Sequence, residues 1–467
     1  MAPIEAAHQT AQRVRNKELS AHESVEGALA RLERLNPKLN AFTAVDVAAA
    51  LHQADAIDDK IARGEDPGPF AGVSFGVKDL EAAAGLPLTM GSRIYAEEVA
   101  HEDSIQVARL RAAGAIVLGK TNTPEFGFRP FTTNLVHGPT RNPWNLDRTP
   151  GGSSGGTSAA VTAGIVPMGT GSDGGGSIRL PAAFAGCYGI KPTVGRIPRG
   201  GPEESHWAFL SHRGPLTRTV RDAARWLDVA AGPHQEDTMA LDAPSGHYEA
   251  TLDKPLRLSR IAWSEDLGYA AVEPEVAKLA REAAATLAEA TGAKLVDATP
   301  GFVQPLEAWM TIAASGDAAM HELWTDEMKA LADPEYLRLG QYGANLRAVD
   351  YANAIQERHQ VNLVMTRFFD QYDLLLTPTS PVTAFPAEGP TPDRIAGQEA
   401  AVAAMIAFTH PFNLTGHPGA SVPAGLASDG LPVGLQIVAP KFADALVLQA
   451  SAAFESARPF PWPDFDG

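Results

Sequence analysis

Residues 104–121 read SIQVARLRAAGAIVLGKT. From Ser104 to Ala113 the apolar positions recur at helical spacing between charges. Gly114 stops the helix, and Ala115–Leu118 reads as a buried strand of about four residues. Helix, glycine stop and short buried strand make up the unit from which α/β folds are assembled. Upstream, FAGVSFGVKDL at 70–80 is short, apolar and broken by glycine, and reads as strand and turn. Residues 4–63 read as helix: Leu19, Val25, Ala28, Leu29, Leu32 and Leu35 recur at helical spacing, Asn36-Pro37 punctuates the pattern, and 45–61 resumes it. Downstream, 121–152 is loop-rich. Helices are predicted over 157–166, 218–231, 273–291 and 443–456, with a short one at 402–408. Residues 306–369 are mostly helical, and 378–397 form a Pro-rich loop. Strands are predicted at 256–263, 294–297, 373–377 and 435–438. Short apolar strands alternating with helices predict an α/β fold with a largely parallel sheet. The loop beginning at Ala243 is the best seam, and it reads as a seam inside one large domain spanning 1–467.

The 467 residues carry 38 Lys+Arg against 55 Asp+Glu, a net charge of −17. That balance argues against nucleic acid or an anionic membrane as the main partner, since both need a basic face. The one cysteine, Cys187, rules out an internal disulfide framework and a Cys-based zinc site. The opening MAPIEAAHQTAQRVRNKELS holds no apolar leader, and no run of about 18 apolar residues occurs, so a soluble, cytoplasmic protein is expected.

Three motif matches mislead. GAIVLGKT at 114–121 fits the phosphate-loop pattern, but its middle residues are themselves the strand and cannot form an open cradle of amides. GTGSDG at 169–174 fits a dinucleotide pattern, yet VGRIPRG, where the partner acid belongs, has none. GGSSG at 151–155 fits a nucleophile elbow, but RNPWNLDRTP before it cannot be the required strand. For a Ser-His-Asp triad, His206, His212, His321, His359, His410 and His417 are available, and none sits in a distinctive setting.

Two Gly/Ser clusters remain, PGGSSGGTS at 150–158 and GTGSDGGGSIR at 169–179. Both are flanked by apolar segments, which argues for close backbone approach rather than surface turns. Three glycines before Ser177 can turn several N–H groups toward one point, as an oxyanion hole requires. The nearest candidate base is Lys78, at the end of an apolar run. It reads either as an ordinary strand-end lysine or as a base whose pKa burial has lowered.

The chain resembles the amidase signature family of Ser-Ser-Lys amide hydrolases. The resemblance rests on FGVKD at 75–79, GKTNTPEFG at 119–127, TRNPWNLDRTPGGSSGGTSAAV at 140–161 and GTGSDGGGSIRLPAAFAGCYGIKPT at 169–193. LLLTPTSP at 374–381, PFNLTGHPGASVPAG at 411–425 and GLPVGLQIV at 430–438 add C-terminal support. It implies an α/β fold: one large domain with a twisted mixed sheet covered by helices on both sides. N-terminal helices would occupy 1–63, the signature core 64–250, a mostly helical substrate-side region 251–370, and a closing core segment 371–467. The resemblance further implies Ser177 as nucleophile, Ser153 as a bridging serine after a cis peptide, and Lys78 as base. The amides of Gly174, Gly175, Gly176 and Ser177 would form the oxyanion hole, and Ser154 and Asp173 would hold the loops. No metal or cofactor is implied. Gly174 departs from the family, which usually has Thr there, and a looser loop is expected.

A neutral, fairly apolar amide, anilide or carbamate is the expected small-molecule substrate. Phe126, Phe128, Phe131, Trp207, Phe209, Trp309 and Tyr342 could line its pocket or simply pack the core. A monomer or homodimer is expected, and 306–343 could form a lid. Two other readings stand beside this one: the glutamine-hydrolysing subunit of a tRNA-dependent amidotransferase, and a non-catalytic scaffold of the same fold.

Overall fold

The computed structural model describes residues 4–200, Trp207 and 210–464. Phe42–Val45 (β1), Ser74–Lys78 (β2), Ile116–Thr121 (β3), Met168–Asp173 (β4), Tyr188–Lys191 (β5), His212–Thr217 (β6), Arg260–Trp263 (β7), Lys294–Asp297 (β8) and Leu374–Pro378 (β9) enter one sheet in turn. Arg394–Ile395 (β10) and Gln398–Glu399 (β11) form a separate small hairpin. Gly419–Leu426 (β12) and Pro432–Val438 (β13) complete the main sheet. Its eleven strands lie in the order β1-β3-β2-β4-β6-β5-β12-β13-β9-β7-β8.

The fold is mixed α/β. The sheet is not largely parallel, however. Parallel pairing is confined to β3–β2–β4 and β9–β7–β8, and the ladder from β4 through β6, β5, β12 and β13 to β9 is antiparallel. The expectation failed because β5, β6 and β12 were not recognised as strands. Helices cover both faces. On one, Val220–Ala230 and Pro274–Thr291 bury Trp226, Ala280, Ala284 and Leu287 against Phe75, Ile190 and Leu435. Thr219 caps the first of these by accepting from the Asp222 N–H. On the other face, Ala21–Leu39, Val47–Ala62 and Gly155–Thr162 bury Val25, Leu35, Ala54 and Ala160 against Ile116 and Leu118.

Two local corrections bear on the site. Asn36-Pro37 does not end the first helical stretch, because Pro37 sits in the last turn of Ala21–Leu39. The Asn36 side chain accepts from the N–H groups of Ala41 and Phe42 at 2.9 and 2.8 Å and so turns the chain into β1, a strand inside the stretch read as helix. Residues 168–173 are a strand rather than part of a Gly/Ser loop. Its glycines are required by close approach. A Cβ at Gly169 would stand 2.6 Å from Thr157 Cγ2, and one at Gly171 2.8 Å from both Ile178 and Leu216.

No helix among the described residues is long and apolar enough to cross a membrane. Among the same residues no group of three or more His, Cys, Asp or Glu could hold a metal ion.

Candidate active site

Strands β2 and β4 run parallel, so their C-terminal ends reach the same edge of the sheet. Lys78 is the last residue of β2, and Ser172 and Asp173 are the last two of β4. Lys78 is fully buried. Its Nζ donates to Ser153 Oγ at 2.7 Å and to Ser172 Oγ at 2.9 Å, and its N–H donates to Thr170 Oγ1 at 2.8 Å. Burial is the main reason its pKa falls well below the ordinary lysine range, and the Arg213 guanidinium pushes the same way. Asp173 and Glu81 oppose the fall without reversing it.

Ser153 stands at the turn into Gly155–Thr162, after a cis Gly152–Ser153 peptide. The turn is tightly enclosed. A Cβ at Gly152 would lie 2.5 Å from the Phe131 nitrogen. Ser154 donates its N–H to the Ser177 carbonyl at 3.2 Å, which ties this turn to the second Gly/Ser segment.

The glycine run 174–176 leaves β4 just past the Asp173–His212 pair. Its carbonyls are taken up on the side facing the protein: Trp309 Nε1 donates to Gly174 O at 2.8 Å, Thr409 Oγ1 to Gly175 O at 2.5 Å, and the Leu180 N–H to Gly176 O at 2.7 Å. All three carbonyls of the run are thus bound, which works against the looser loop expected from Gly174. Gly176, at φ 138°, needs its glycine, since a Cβ there would collide with Thr409 Oγ1.

Asp173 anchors the loop from below. Arg179 reaches its carboxylate through Nε at 2.9 Å and a second guanidinium nitrogen at 2.8 Å, and Asn413 Nδ2 donates to it at 2.8 Å. Burial alone would raise this carboxyl's pKa. The Arg179 charge and hydrogen bonds overcome that and hold it below the usual carboxylate range.

Ser153, Ser172, Gly174 and Ser177 all face one cavity of about 470 Å³. Among the described residues Ser177 Oγ has no hydrogen-bond partner, and no histidine bonds to Ser153, Ser154 or Ser177. His206 and Phe209 lie outside the described residues. A buried amine of lowered pKa bonded to one hydroxyl, with a second hydroxyl in the same cavity beside a strapped glycine run, is an arrangement suited to base-assisted attack of a hydroxyl on a carbonyl carbon.

The aromatic candidates separate. Phe126 and Trp207 line the cavity. Phe131 does not: it packs edge-on against Phe385 in a cluster with Phe184. Trp309 also stays off the cavity wall and instead braces the loop at Gly174. Phe128 leans on Tyr336, and Tyr342 is exposed at the surface. Much of the remaining wall is apolar, with Leu80, Leu88, Met90, Val99 and Met320. Met90 and Phe126 both take left-handed backbone (φ 56° and 49°), and the Phe126 N–H bonds to Met90 O at 2.8 Å.

Three residues of this region were not legible in the sequence. Ser172 sits inside the second Gly/Ser cluster but reads as loop there. Arg213 faces Ser172 across the β4–β6 ladder and lines the cavity. Asp317, on Leu306–Glu322, is buried and accepts from Trp207 Nε1 at 3.0 Å and the Tyr336 hydroxyl at 2.9 Å. Burial pushes its pKa up to about 7. A carboxyl with a raised pKa binds a proton in the folded state that it loses when unfolded, so its contribution to stability falls as pH rises through about 4 to 7. Asp317→Asn keeps the accepting oxygen without the charge. Its Tm relative to wild type is expected to rise by a few degrees between pH 5 and pH 8, and differential scanning fluorimetry across that range checks it.

Residues 23–448 match the Amidase family model. The chain is 38% identical over 465 residues to an acylamidase of Rhodococcus erythropolis, covering 98% of this chain and 96% of that one. It is also 38% identical over 470 residues to a glutamyl-tRNA(Gln) amidotransferase subunit of Synechococcus sp. (strain RCC307), covering 95% of each. The crystal structure of a bacterial aryl acylamidase of the amidase signature family superposes with a TM-score of 0.92 at 34% identity, over 98% of this chain and 97% of that one. The chain belongs to the amidase signature family and is a hydrolase acting on amide C–N bonds.

Proposed function

We propose that the chain cleaves a neutral, fairly apolar amide, anilide or carbamate through an acyl-enzyme on Ser177. The observation that carries this reading is the 2.7 Å bond from fully buried Lys78 to Ser153, in the cavity that Ser177 enters. Neutral Lys78 takes the Ser153 proton as Ser153 takes that of Ser177, and Ser177 Oγ attacks the carbonyl carbon. The amides of Gly174–Ser177 receive the developing oxyanion. The proton returns through Ser153 to the leaving nitrogen, and the C–N bond breaks. Water then attacks the acyl-enzyme, giving up a proton through Ser153 to Lys78, and that proton passes back to Ser177 Oγ as the acyl–oxygen bond breaks and the acid leaves. Hydroxyl contacts of this kind tighten on substrate binding, so a Ser177 Oγ without a partner among the described residues is compatible with the relay.

The apolar wall of Leu80, Leu88, Met90, Phe126 and Trp207 favours an uncharged substrate. The second reading is glutamine hydrolysis, supported by Arg199 and Arg213 on the cavity wall and by the amidotransferase relatives. A panel of an aliphatic amide, a nitroanilide, an aryl carbamate and glutamine, run on the purified chain, separates the two. Turnover of the nitroanilide with kcat/KM at least about 100-fold above glutamine, a difference of some 2.7 kcal/mol, is expected. Turnover of glutamine alone would replace the first reading by the second.

A further inference from the structure

The cavity wall beside the glycine run is built from one tryptophan, and three other residues are fitted to it. A Cβ at Gly174 would lie 2.5 Å from Trp207 Cε3 and 2.8 Å from Cζ3, so the indole occupies the space that any side chain at 174 would need. Trp207 meets Trp309 edge-to-face, with centroids 5.5 Å apart at 88°, and Trp309 is the residue that holds Gly174 O. On its far side Trp207 Nε1 donates to Asp317 Oδ1 at 3.0 Å. The same oxygen accepts from Tyr336, whose ring stacks on Phe126 at 4.9 Å and 21°. One buried carboxyl, 1% exposed, thus fixes two aromatic walls of the cavity that Ser177 enters, Trp207 directly and Phe126 through Tyr336.

We infer that Trp207 sets the size of the substrate group accepted beside the oxyanion loop. Gly174 is the position that makes room for its ring, and Asp317 is the positioning residue that holds it. The inference rests on the amide-hydrolase reading above. The group it admits is compact, a small acyl chain or a single aromatic ring lying against the indole. A branched or fused-ring group meets Trp207.

A double-mutant cycle tests this. Gly174→Ala alone drives a methyl into the indole and is expected to lower kcat/KM for an acetanilide about 100-fold. Adding Trp207→Ala is expected to recover at least tenfold of that loss, so the two changes are far from multiplicative. Trp207→Ala alone is expected to raise kcat/KM for a naphthoyl anilide over that for the acetyl anilide about tenfold relative to wild type. Asp317→Ala shifts the same ratio in the same direction, and Asp317→Asn, which keeps the acceptor oxygen, restores it. Independent multiplicative effects at 174 and 207, with an unchanged size ratio in Trp207→Ala, would overturn the inference.

A readout without turnover runs beside it: the affinities of phenylboronic and naphthylboronic acid for wild type and Trp207→Ala by calorimetry. A ratio that moves toward the larger ring supports the wall, and an unmoved ratio counts against it. Ser177→Ala keeps the two readings distinct. If that variant stays active while the size ratio still moves, the nucleophile assignment fails and the wall stands. If it is inactive and the ratio does not move, the wall alone fails.

Discussion

Ser177→Ala is expected to lower kcat for a neutral anilide by about 10⁴-fold or more, the loss typical of removing the nucleophile from a serine hydrolase whose oxyanion donors remain. The reason lies in how the site is divided. The glycine run is strapped by Trp309, Thr409 and Leu180 through its carbonyls, none of which depends on the Ser177 hydroxyl. Substrate binding and oxyanion stabilisation therefore survive in the variant, while the covalent step does not. KM for the anilide is expected to change by less than about threefold, because uniform binding is untouched. Tm should stay within about a degree, since Ser177 Oγ has no partner among the described residues. Steady-state kinetics and a melting curve on the same preparation check both parts. A Tm that collapses with the activity would show that the serine is structural.

Lys78→Met carries the second large effect, a loss of about 10³–10⁴-fold in kcat/KM, the range of a general base. Only the neutral amine can accept a proton. A lysine whose pKa is pushed down by burial and by Arg213 is neutral above that lowered value. Wild-type kcat/KM is thus expected to rise tenfold per pH unit on its acidic limb. It should bend to a plateau well below the ordinary lysine pKa of 10.5. In Lys78→Met the limb is expected to vanish and leave a flat, low profile. Stability moves with the same group. Unfolded Lys78 binds a proton that the folded state excludes, so its contribution grows as pH rises toward 10.5 and is lost as pH falls. The methionine variant should therefore gain Tm relative to wild type as the pH is lowered. A wild-type limb that persists unchanged in Lys78→Met would assign the titration to another group.

What the sequence revealed and what it hid divide along physical lines. The alternation read from 104–121 is local, and the structure places a helix at Ile105–Ala112 and a strand at Ile116–Thr121. β1 and β4 were hidden for opposite reasons. β1 is four residues between two helices, held by the Asn36 side chain rather than by a pattern of its own. β4 is glycine-rich because Thr157, Ile178 and Leu216 press against it, so Thr170 is its one β-branched residue and it lacks the run of such residues by which strands are recognised.

Lys78, Ser153 and Ser177, which the structure brings together at one cavity, could be singled out as candidates because they sit in dense motifs. Asp317 and Arg213 could not be. Each gains its meaning from a partner more than 40 residues away, Trp207 for one and Ser172 for the other. The aromatics could not be sorted by sequence at all. Phe126 and Phe131 lie five residues apart in one loop-rich stretch, yet one faces the cavity and the other packs on Phe385. Gly174 is the most instructive case. As a lone departure it suggested slack, whereas beside Trp207 it is the residue that fits.

The most direct test of the central claim is to trap the acyl-enzyme. The chain is mixed rapidly with a nitrophenyl ester of a small aromatic acid, quenched in acid within the burst, digested and mapped by mass spectrometry. An acyl group on Ser177 is predicted, absent from Ser177→Ala and accumulating at least about 100-fold more slowly in Lys78→Met. Acylation at Ser153, at Ser172 or outside the cavity, or equal rates in wild type and Lys78→Met, would contradict the account.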